Sequence, residues 1–406
     1  MPQRDAMSRV QDAIVEDEVA AIAADLIRIP SHRWEEGEAA SYAAGFMRGA
    51  GLHVVVQRVD EGEVHSKQAI GRLRGTGGGP SLLLCGHLDT STSPPARRPY
   101  RLDRWTRDPF GGHVEDGVIY GLGATNMKGA DAAMLAAVRA LARADTRLRG
   151  DVILALVMGE TANGLGIEYA LKHGLAADQA IVAESTDFEI VTTAISACRG
   201  HIHVEGRAPF DAARKSAPQL AADLVAAVGP PYEAIAADGW LPHTPNPELP
   251  GYPRISIKEI QTYDDEFCRL TFDCALIPGL APTDVQHGLE GLLRRLDIRG
   301  RIEIPPHPHM RHRPTPAGIA RDHPLVLALG RSHEAEFNRP AVVSASKRLG
   351  GGSDASNLLA AGVPTVVYGP GSMVNWPAPL IDEHCRTGDL AAAARIFART
   401  ALALTS

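Results

Sequence analysis

Short apolar runs recur in the first half and near the end of the chain, and stretches with helical spacing of apolar residues lie between several of them. The runs typical of strands buried on both faces are residues 81–85, 152–157, 180–183 and 365–368. Helical spacing is found over residues 15–29, 39–50, 127–144 and 167–173. This alternation predicts an α/β fold with a doubly wound, mostly parallel sheet that carries helices on both faces.

The pattern changes between residues 195 and 305. Here the strand-like runs HIHVEG, RISIKEI and RLTFDCALI are combined with helical spacing over residues 218–228 and 283–296. That order indicates a smaller α+β domain inserted into the larger one. We therefore expect residues 1–194 and 306–406 to form the main domain in two parts, and residues 195–305 to form the inserted domain.

Composition narrows the class of protein. The 406 residues suffice for two domains, and 45% hydrophobic with 22% charged residues is the balance of an ordinary globular protein. The formal charge of -7 gives no general attraction to nucleic acid or to an anionic membrane, so the expected partner is a small molecule. No apolar stretch approaches the roughly 18 residues of a membrane-spanning helix, and the charged N-terminus is unlike a secretory signal, which predicts a cytoplasmic protein.

Polar residues follow the apolar runs at the ends where open α/β sheets bind ligands. His87 and Asp89 follow SLLLCG, Glu160 follows VILALVMG and Glu184 follows AIVA, while Asn126 precedes a helical stretch. Imidazole and carboxylate groups are common ligands of divalent metals, so a metal site is one interpretation. A turn at residues 87–89, a surface carboxylate at Glu160 and a helix cap at Asn126 are the alternatives.

Three other chemistries lack support in the sequence. The GLGATN segment shares two glycines with the dinucleotide-binding fingerprint, but Asn126 replaces the third glycine and no long apolar strand precedes it. No GxSxG elbow occurs, so a serine hydrolase is unsupported. The five cysteines contain no CxxC pair, which indicates neither a disulfide framework nor a zinc ribbon.

A series of short blocks runs in a fixed order along nearly the whole chain. The blocks are GHLDT (86–90), WTRDPF (105–110), DGVIYGLGATNMKG (116–129), GETANGLG (159–166), AES (183–185), GGSDA (351–355) and GPG (369–371). This series resembles the two-metal hydrolases comprising acetylornithine deacetylase, succinyl-diaminopimelate desuccinylase, aminoacylase and glutamate carboxypeptidase. The resemblance implies hydrolysis of a C–N bond and a homodimer or higher homo-oligomer, with the inserted domain as the lid and dimerisation element.

The resemblance also implies roles for four residues. His87 would be a metal ligand, with Asp89 as the neighbour that orients its ring. Glu184 would be a ligand to the same ion, and Glu160 the general base that takes a proton from the attacking water. A base beside a metal ion that lowers the pKa of water suits hydrolysis of an unreactive C–N bond at neutral pH.

Three positions depart from the family pattern, and all three concern the second ion. Asn126 stands where an aspartate bridges both ions, and Thr161 stands where a second glutamate binds the other ion. The stretch GSMVNWPAPLIDE (371–383) lacks the family's last histidine, for which the neighbouring His384 is the candidate substitute. We therefore predict a site for one divalent ion, Mn²⁺ or Zn²⁺. Its predicted ligands are His87, Glu184 and, unless it caps the helix instead, Asn126.

Substrate recognition is also predicted to differ from that of ordinary acylamino-acid hydrolases. Phe210 stands where the family has a histidine that reaches across the dimer, and Ala275 stands where an arginine is common. Phe210 either faces an aromatic substrate or packs in the core. Backbone N–H groups of a glycine-rich turn and a nearby arginine can hold a carboxylate. The predicted substrate-binding residues of this kind are Gly351, Gly352, Ser353, Asp354 and Arg348.

Three functions follow from these features. The leading hypothesis is hydrolysis of a C–N bond in a small carboxylate-bearing substrate by one metal ion with Glu160 as the base. A narrower alternative is deamination of an amino-substituted aromatic acid, as in the divergent relative 5-nitroanthranilate aminohydrolase. The rival from another class is a metal-free pseudoenzyme or small-molecule binding protein that keeps the fold, against which the retained Glu160 argues.

Overall fold

The computed structural model of the protein describes residues 2–90, 104–144, 146–162, 164–193, 195–207, 213–230, 233–304, 317–344, 352–372 and 381–406. The chain folds into two compact units. The first unit comprises Met1–Thr193, Gly318–Ser344 and Arg348–Ser406, and the second is formed mainly by Ala194–Ala317.

The structure contains the helices and strands predicted from the hydrophobic pattern, together with further elements that the pattern did not predict. The helices, in chain order, are α1 (Pro2–Asp12), α2 (Glu16–Arg28), α3 (Gly37–Gly49), α4 (Lys128–Arg143), α5 (Leu165–Lys172), α6 (Ala217–Val228), α7 (Pro282–Arg295), α8 (Pro324–Phe337), α9 (Ala355–Ala360) and α10 (Thr387–Thr405). The strands, in chain order, are β1 (His53–Glu61), β2 (Val64–Leu73), β3 (Leu82–His87), β4 (His113–Glu115), β5 (Val118–Tyr120), β6 (Val152–Val157), β7 (Gln179–Val182), β8 (Ile190–Val191), β9 (Ser196–Glu205), β10 (Arg254–Thr262), β11 (Phe267–Leu276), β12 (Arg299–Glu303), β13 (Val343–Ser344), β14 (Thr365–Val367) and β15 (His384–Arg386). None of the helices in the described ranges has the length and apolarity that a membrane span requires.

An eight-stranded sheet in the first unit has the strand order β1-β2-β6-β3-β7-β14-β8-β13. Strands β6, β3, β7 and β14 run parallel to one another, whereas β2 pairs antiparallel with both β1 and β6, and β14 pairs antiparallel with β8. The predicted α/β class with a separate smaller domain is confirmed, and the sheet is mixed. The β1–β2 pair is antiparallel because a tight hairpin, here closed between Glu61 and Val64, joins only antiparallel strands.

Helices cover both faces of this sheet. Leu82 and Leu84 of β3 belong to a core cluster with residues of α2, α4 and α10, whereas Leu83 and Cys85 pack with residues of α5 and α9. Every residue of β3, β6 and β7 is consequently buried. A strand buried on both faces can be apolar at successive positions, which is why these three appear in the sequence as continuous apolar runs.

The parallel register brings the carboxyl ends of the central strands to one edge of the sheet. His87 is paired with Val157 of β6, three residues before Glu160. Strand β7 runs parallel on the other side of β3 and ends two residues before Glu184. The three side chains therefore emerge at the same edge, where ligands bind in open α/β sheets.

The second unit contains a four-stranded sheet with the order β10-β11-β9-β12 and antiparallel pairing throughout. One face packs with α6 and α7 around Ile202, Leu270 and Phe272. Most residues on the opposite face of β9 and β11 are polar, among them the bidentate ion pair of Arg199 and Asp273 at 2.5 and 2.7 Å. Alternation of apolar and polar residues along β9 and β11 thus separates a core face from a polar face.

Candidate metal centre

His87, Glu160 and Glu184 form a buried cluster whose ligand atoms all lie within 4.8 Å of one another. His87 closes β3, Glu160 opens a 3-10 turn after β6, and Glu184 follows β7. His87 Nε2 lies 3.6 Å from Glu184 Oε1 and 4.0 Å from Glu160 Oε2. In the part of the chain that the structure describes, this is the one cluster of three histidine, cysteine or carboxylate side chains with such spacing.

The ring of His87 is oriented by the backbone of the residue two positions on. Its Nδ1 lies 2.8 Å from the carbonyl oxygen of Asp89, which can only accept, so Nδ1 carries a proton. Nε2 faces the cluster, 3.1 Å from Oδ1 of Asn126. Oxygen acceptors therefore surround Nε2 on several sides, an arrangement that requires a cation, either a proton on the ring or a bound metal ion.

The electrostatic environment of His87 also favours positive charge. Burial of the ring lowers its pKa, but the carboxylates of Asp89, Glu184 and Glu160 outweigh burial and raise the pKa of His87 to about 10. A divalent ion would supply the same positive charge without the ring proton. The donor set of one buried imidazole, two buried carboxylates and the half-buried amide oxygen of Asn126 thus fits a divalent metal ion.

The carboxylate of Asp89 holds the turn that carries Glu160 rather than the histidine ring. Its Oδ1 accepts from the amide of Glu160 at 3.0 Å, and its Oδ2 accepts from the amide and the hydroxyl of Thr161 at 2.8 and 2.6 Å. Its Oδ1 is 3.6 Å from Nδ1 of His87. The segment from His87 to Asp89 thus orients the imidazole through a carbonyl and the glutamate turn through a carboxylate.

A second carboxylate, Glu383, holds the loop of Asn126. Its two oxygens accept from the amides of Gly123, Thr125 and Asn126, each at 2.9 Å. Burial raises the pKa of Glu383, and these amide hydrogen bonds act in the opposite direction. Glu383 was not among the residues predicted for the site, because it does not follow an apolar run. Its position before the short strand β15 gave no signal for this contact.

The predicted substrate-binding residues that the structure describes differ in their exposure. Gly352 is partly exposed, whereas Ser353 and Asp354 are buried at the start of α9. Ser353 Oγ accepts from the amide of Ala355 at 3.4 Å, and Asp354 Oδ1 lies 2.8 Å from where a Cβ would stand at Gly164. The remaining predicted residues of this group, which lie outside the described residues, are Gly351, Arg348 and Phe210.

His384, the candidate substitute for the missing ligand, is exposed and lies outside the cluster. Its Nδ1 is 2.9 Å from the carbonyl oxygen of Asp382, and its ring lies 5.4 Å from that of Tyr120. Among the described residues, His87 is therefore the one histidine at this centre.

Comparison with known proteins places this geometry in a family. The profile of peptidase family M20/M25/M40 matches residues 83–403, which contain every residue of the cluster. The chain belongs to this family. Its members are hydrolases that depend on divalent metals, typically Zn²⁺ or Mn²⁺, and act on amide or peptide C–N bonds of small substrates. The resemblance drawn from the sequence blocks is thereby confirmed.

Individual relatives differ in how much of the chain they match. A deformylase of N-formyl-4-amino-5-aminomethyl-2-methylpyrimidine from Bacillus subtilis is 28% identical over 367 residues, which is 82% of each chain. A succinyl-diaminopimelate desuccinylase from Methylorubrum extorquens is 34% identical over 198 residues, 46% of this chain and 50% of that enzyme. The solved structure of dipeptidase Dug1p from Saccharomyces cerevisiae superposes with a TM-score of 0.78 at 12% identity over 99% of both chains, and shows the shared fold.

Proposed function

We propose that this chain hydrolyses a C–N bond of a small carboxylate-bearing substrate with one divalent metal ion and with Glu160 as the general base. The observation that carries the proposal is the buried convergence of His87, Glu160 and Glu184 within 4.8 Å at the carboxyl edge of the sheet. A site that only bound a metal or a ligand would have no need of a second carboxylate, that of Glu160, beside the ligands.

In this proposal, His87 binds the ion through Nε2, and Glu184 and Asn126 bind it through their side-chain oxygens. When bound, the ion would supply Lewis-acid chemistry that activates water and polarises the scissile carbonyl. One imidazole with the oxygens of Glu184 and Asn126 suits Mn²⁺ or Zn²⁺. The carbonyl of Asp89 fixes the ring and the amides held by Glu383 fix the loop of Asn126, so these ligand positions are set by hydrogen bonds already present in the chain.

Glu160 is proposed to take a proton at its carboxylate from the attacking water and to deliver it to the leaving nitrogen. A general base must be held within hydrogen-bonding reach of the proton that it moves. Its backbone is fixed by Asp89, and its Oε2 lies 4.0 Å from Nε2 of His87. That separation leaves the carboxylate beside the ion site and near any water there.

The chemistry of two residues, Thr161 and Asn126, supports one ion rather than two. Thr161, which stands at the position of a second glutamate, donates its hydroxyl to Asp89 at 2.6 Å and is a neutral group. Asn126 offers a neutral oxygen, which is a weaker bridge between two cations than a carboxylate. One ion would then occupy the His87 side of the centre.

The substrate class is proposed from chemistry and from two relatives. The deformylase and the desuccinylase each act, by name, on a nitrogen that carries a small acyl group. An N-acylated amine of this size is therefore the first substrate class to test, with the inserted domain proposed as the lid and the dimer contact.

A substrate panel tests the proposal directly. Protein stripped of metal and reloaded with Mn²⁺ or Zn²⁺ is assayed on N-formylated aminopyrimidine, N-succinyl-diaminopimelate, dipeptides and 5-nitroanthranilate. Hydrolysis of N-succinyl-diaminopimelate or a dipeptide, dependent on metal and lost in Glu160→Gln, supports the proposal. Hydrolysis of the N-formylated aminopyrimidine alone would support the metal-dependent chemistry and contradict the carboxylate-bearing substrate. Release of ammonia from 5-nitroanthranilate alone would replace it with the aminohydrolase alternative. Bound metal without turnover of any member would favour a binding protein.

A further inference from the structure

Four consecutive backbone amides, those of residues 158–161, each donate to a side chain from a distant part of the chain. The acceptors are Gln68 at 3.3 Å, Glu36 at 3.2 Å and, for the last two amides, Asp89 at 3.0 and 2.8 Å. A buried backbone amide must be paired with a backbone carbonyl, a side chain or water. Here side chains hold the whole turn that presents Glu160.

Glu36 binds this turn at Gly159, the residue before Glu160. It is fully buried just before α3, and its Oε1 accepts from the amides of Gly159 and Trp34 at 3.2 and 3.0 Å. Its Oε2 accepts from Ser66 Oγ on β2 at 2.6 Å. One carboxylate thus joins the turn to β2 and to the segment before α3. Burial, and then the charge of Asp89, raise the pKa of Glu36 to about 7.

The backbone of the turn leaves little room for adjustment at this contact. Gly159 has a φ of 66°, in the left-handed region that favours glycine. A Cβ at Gly159 would lie 2.9 Å from Cζ3 of Trp34, so the indole ring packs directly against the glycine. Glu36 therefore holds both partners, Gly159 through its amide and Trp34 through its own amide, immediately before the residue proposed as the base.

We propose that Glu36 is a positioning residue for Glu160: it touches neither substrate nor metal, and it sets where the base points by fixing the amide one residue before it. This inference rests on the proposed role of Glu160. Displacement of a reacting group by about 1 Å can cost about 100-fold in rate. Loss of the Glu36 contact should therefore lower kcat and leave metal binding unchanged.

The test compares two replacements of Glu36 on the metal-loaded protein. Glu36→Leu keeps the volume but removes both acceptors, and kcat should fall about 10-fold to 100-fold with little change in KM. Glu36→Gln keeps one oxygen for the amides and an N–H group that can donate to Ser66, so most of the activity should return. Amide hydrogen exchange in the 158–161 segment should be faster in Glu36→Leu and close to wild type in Glu36→Gln.

Asp151→Leu is the matched control for a general loss of stability. Asp151 binds the amide of Gly75 at 2.8 Å and Arg72 at 2.6 Å, next to the end of β6 remote from Glu160. This control should lower stability but leave kcat unchanged. If Glu36→Leu does not fold, Glu36→Asp is measured instead, where the shorter side chain should lower kcat at unchanged KM.

The outcomes separate this inference from the proposed function. An unchanged kcat in the folded Glu36 variants, with Glu160→Gln inactive, would overturn the positioning role alone. A loss of kcat in Asp151→Leu equal to that in Glu36→Leu would also overturn it. Full activity of Glu160→Gln would instead refute the proposed base, whatever the Glu36 variants do.

Discussion

The carbonyl oxygen of Asp89 lies 2.8 Å from Nδ1 of His87, whereas the Asp89 carboxylate lies 3.6 Å from that nitrogen and binds the turn of Glu160. A residue expected to orient the ring with its side chain therefore does so with its backbone. The carboxylate is left to fix the proposed base. Metal binding and base positioning should consequently respond separately to changes at Asp89.

Asp89→Asn tests this division of roles. The substitution keeps the carbonyl that binds His87. It replaces one carboxylate oxygen by an NH₂ group, which cannot accept the hydrogen bonds that the amides and the hydroxyl of the turn donate. We expect kcat to fall about 10-fold to 100-fold, with metal content near that of the wild type. Steady-state kinetics and metal analysis of the same preparation measure both. A loss of metal with an unperturbed turn would show that the carboxylate serves the ring.

Substitution of Asn126 tests whether its amide oxygen is a metal ligand. Asn126→Asp replaces a neutral oxygen by an anionic one and should tighten metal binding by on the order of tenfold, whereas Asn126→Ala should weaken it similarly. Competition with a chelator of known affinity measures both changes. Equal metal affinity in all three proteins would show that Asn126 is not a ligand, and it would have no capping role either, because Met127 is the N-cap of α4 and no described side chain caps that helix.

Gly159→Ala should destabilise the protein and impair catalysis together. The left-handed φ alone costs about 1–2 kcal/mol, and contact with the Trp34 ring adds to this. Gly174→Ala is the control, because Gly174 has a φ of 92° but nothing within 4 Å of the added Cβ. Denaturant unfolding should show the larger loss at position 159, and kcat should fall there only. Equal effects would mean that the turn has room to adjust.

The raised pKa of Glu36 predicts a pH dependence of stability. The native carboxyl keeps its proton up to about pH 7, against an ordinary value of 4.5, so the native state binds more protons than the unfolded chain between these values. The contribution of Glu36 to the free energy of unfolding therefore falls as pH rises through this window. Glu36→Gln should remove that decline. The free energy of unfolding is measured from pH 5 to 8 for the wild type and Glu36→Gln. The same dependence on pH in both proteins would contradict the raised pKa of Glu36.

The metal cluster could be predicted from sequence because each of its members lies at or just after the end of a buried strand. His87, Glu160 and Glu184 each follow an apolar run, and parallel strands end at a common edge. The ranges of β6 and α4 also follow from their apolar spacing. Strand β2 was not predicted, because its buried positions Ser66 and Gln68 are polar and so no alternation of apolar and polar residues is visible.

The supporting contacts could not be predicted, because they join residues far apart in sequence. Glu36 and Gly159 are 123 positions apart, and Gln68 and Met158 are 90 positions apart. Nothing local in RWEEGEA tells which glutamate is buried, and only the packing of α3 against β2 decides it. The direction in which the Asp354 side chain points was equally undetermined by its turn sequence.

Metal content is the most direct test of the central claim that one divalent ion serves this centre. Protein loaded separately with Mn²⁺ or Zn²⁺ and freed of excess metal is analysed by elemental mass spectrometry, alongside His87→Ala and the control Asp151→Leu. The account predicts about one equivalent per chain in the wild type and the control, and close to none in His87→Ala. Two equivalents in the wild type, or metal retained in His87→Ala, would contradict it.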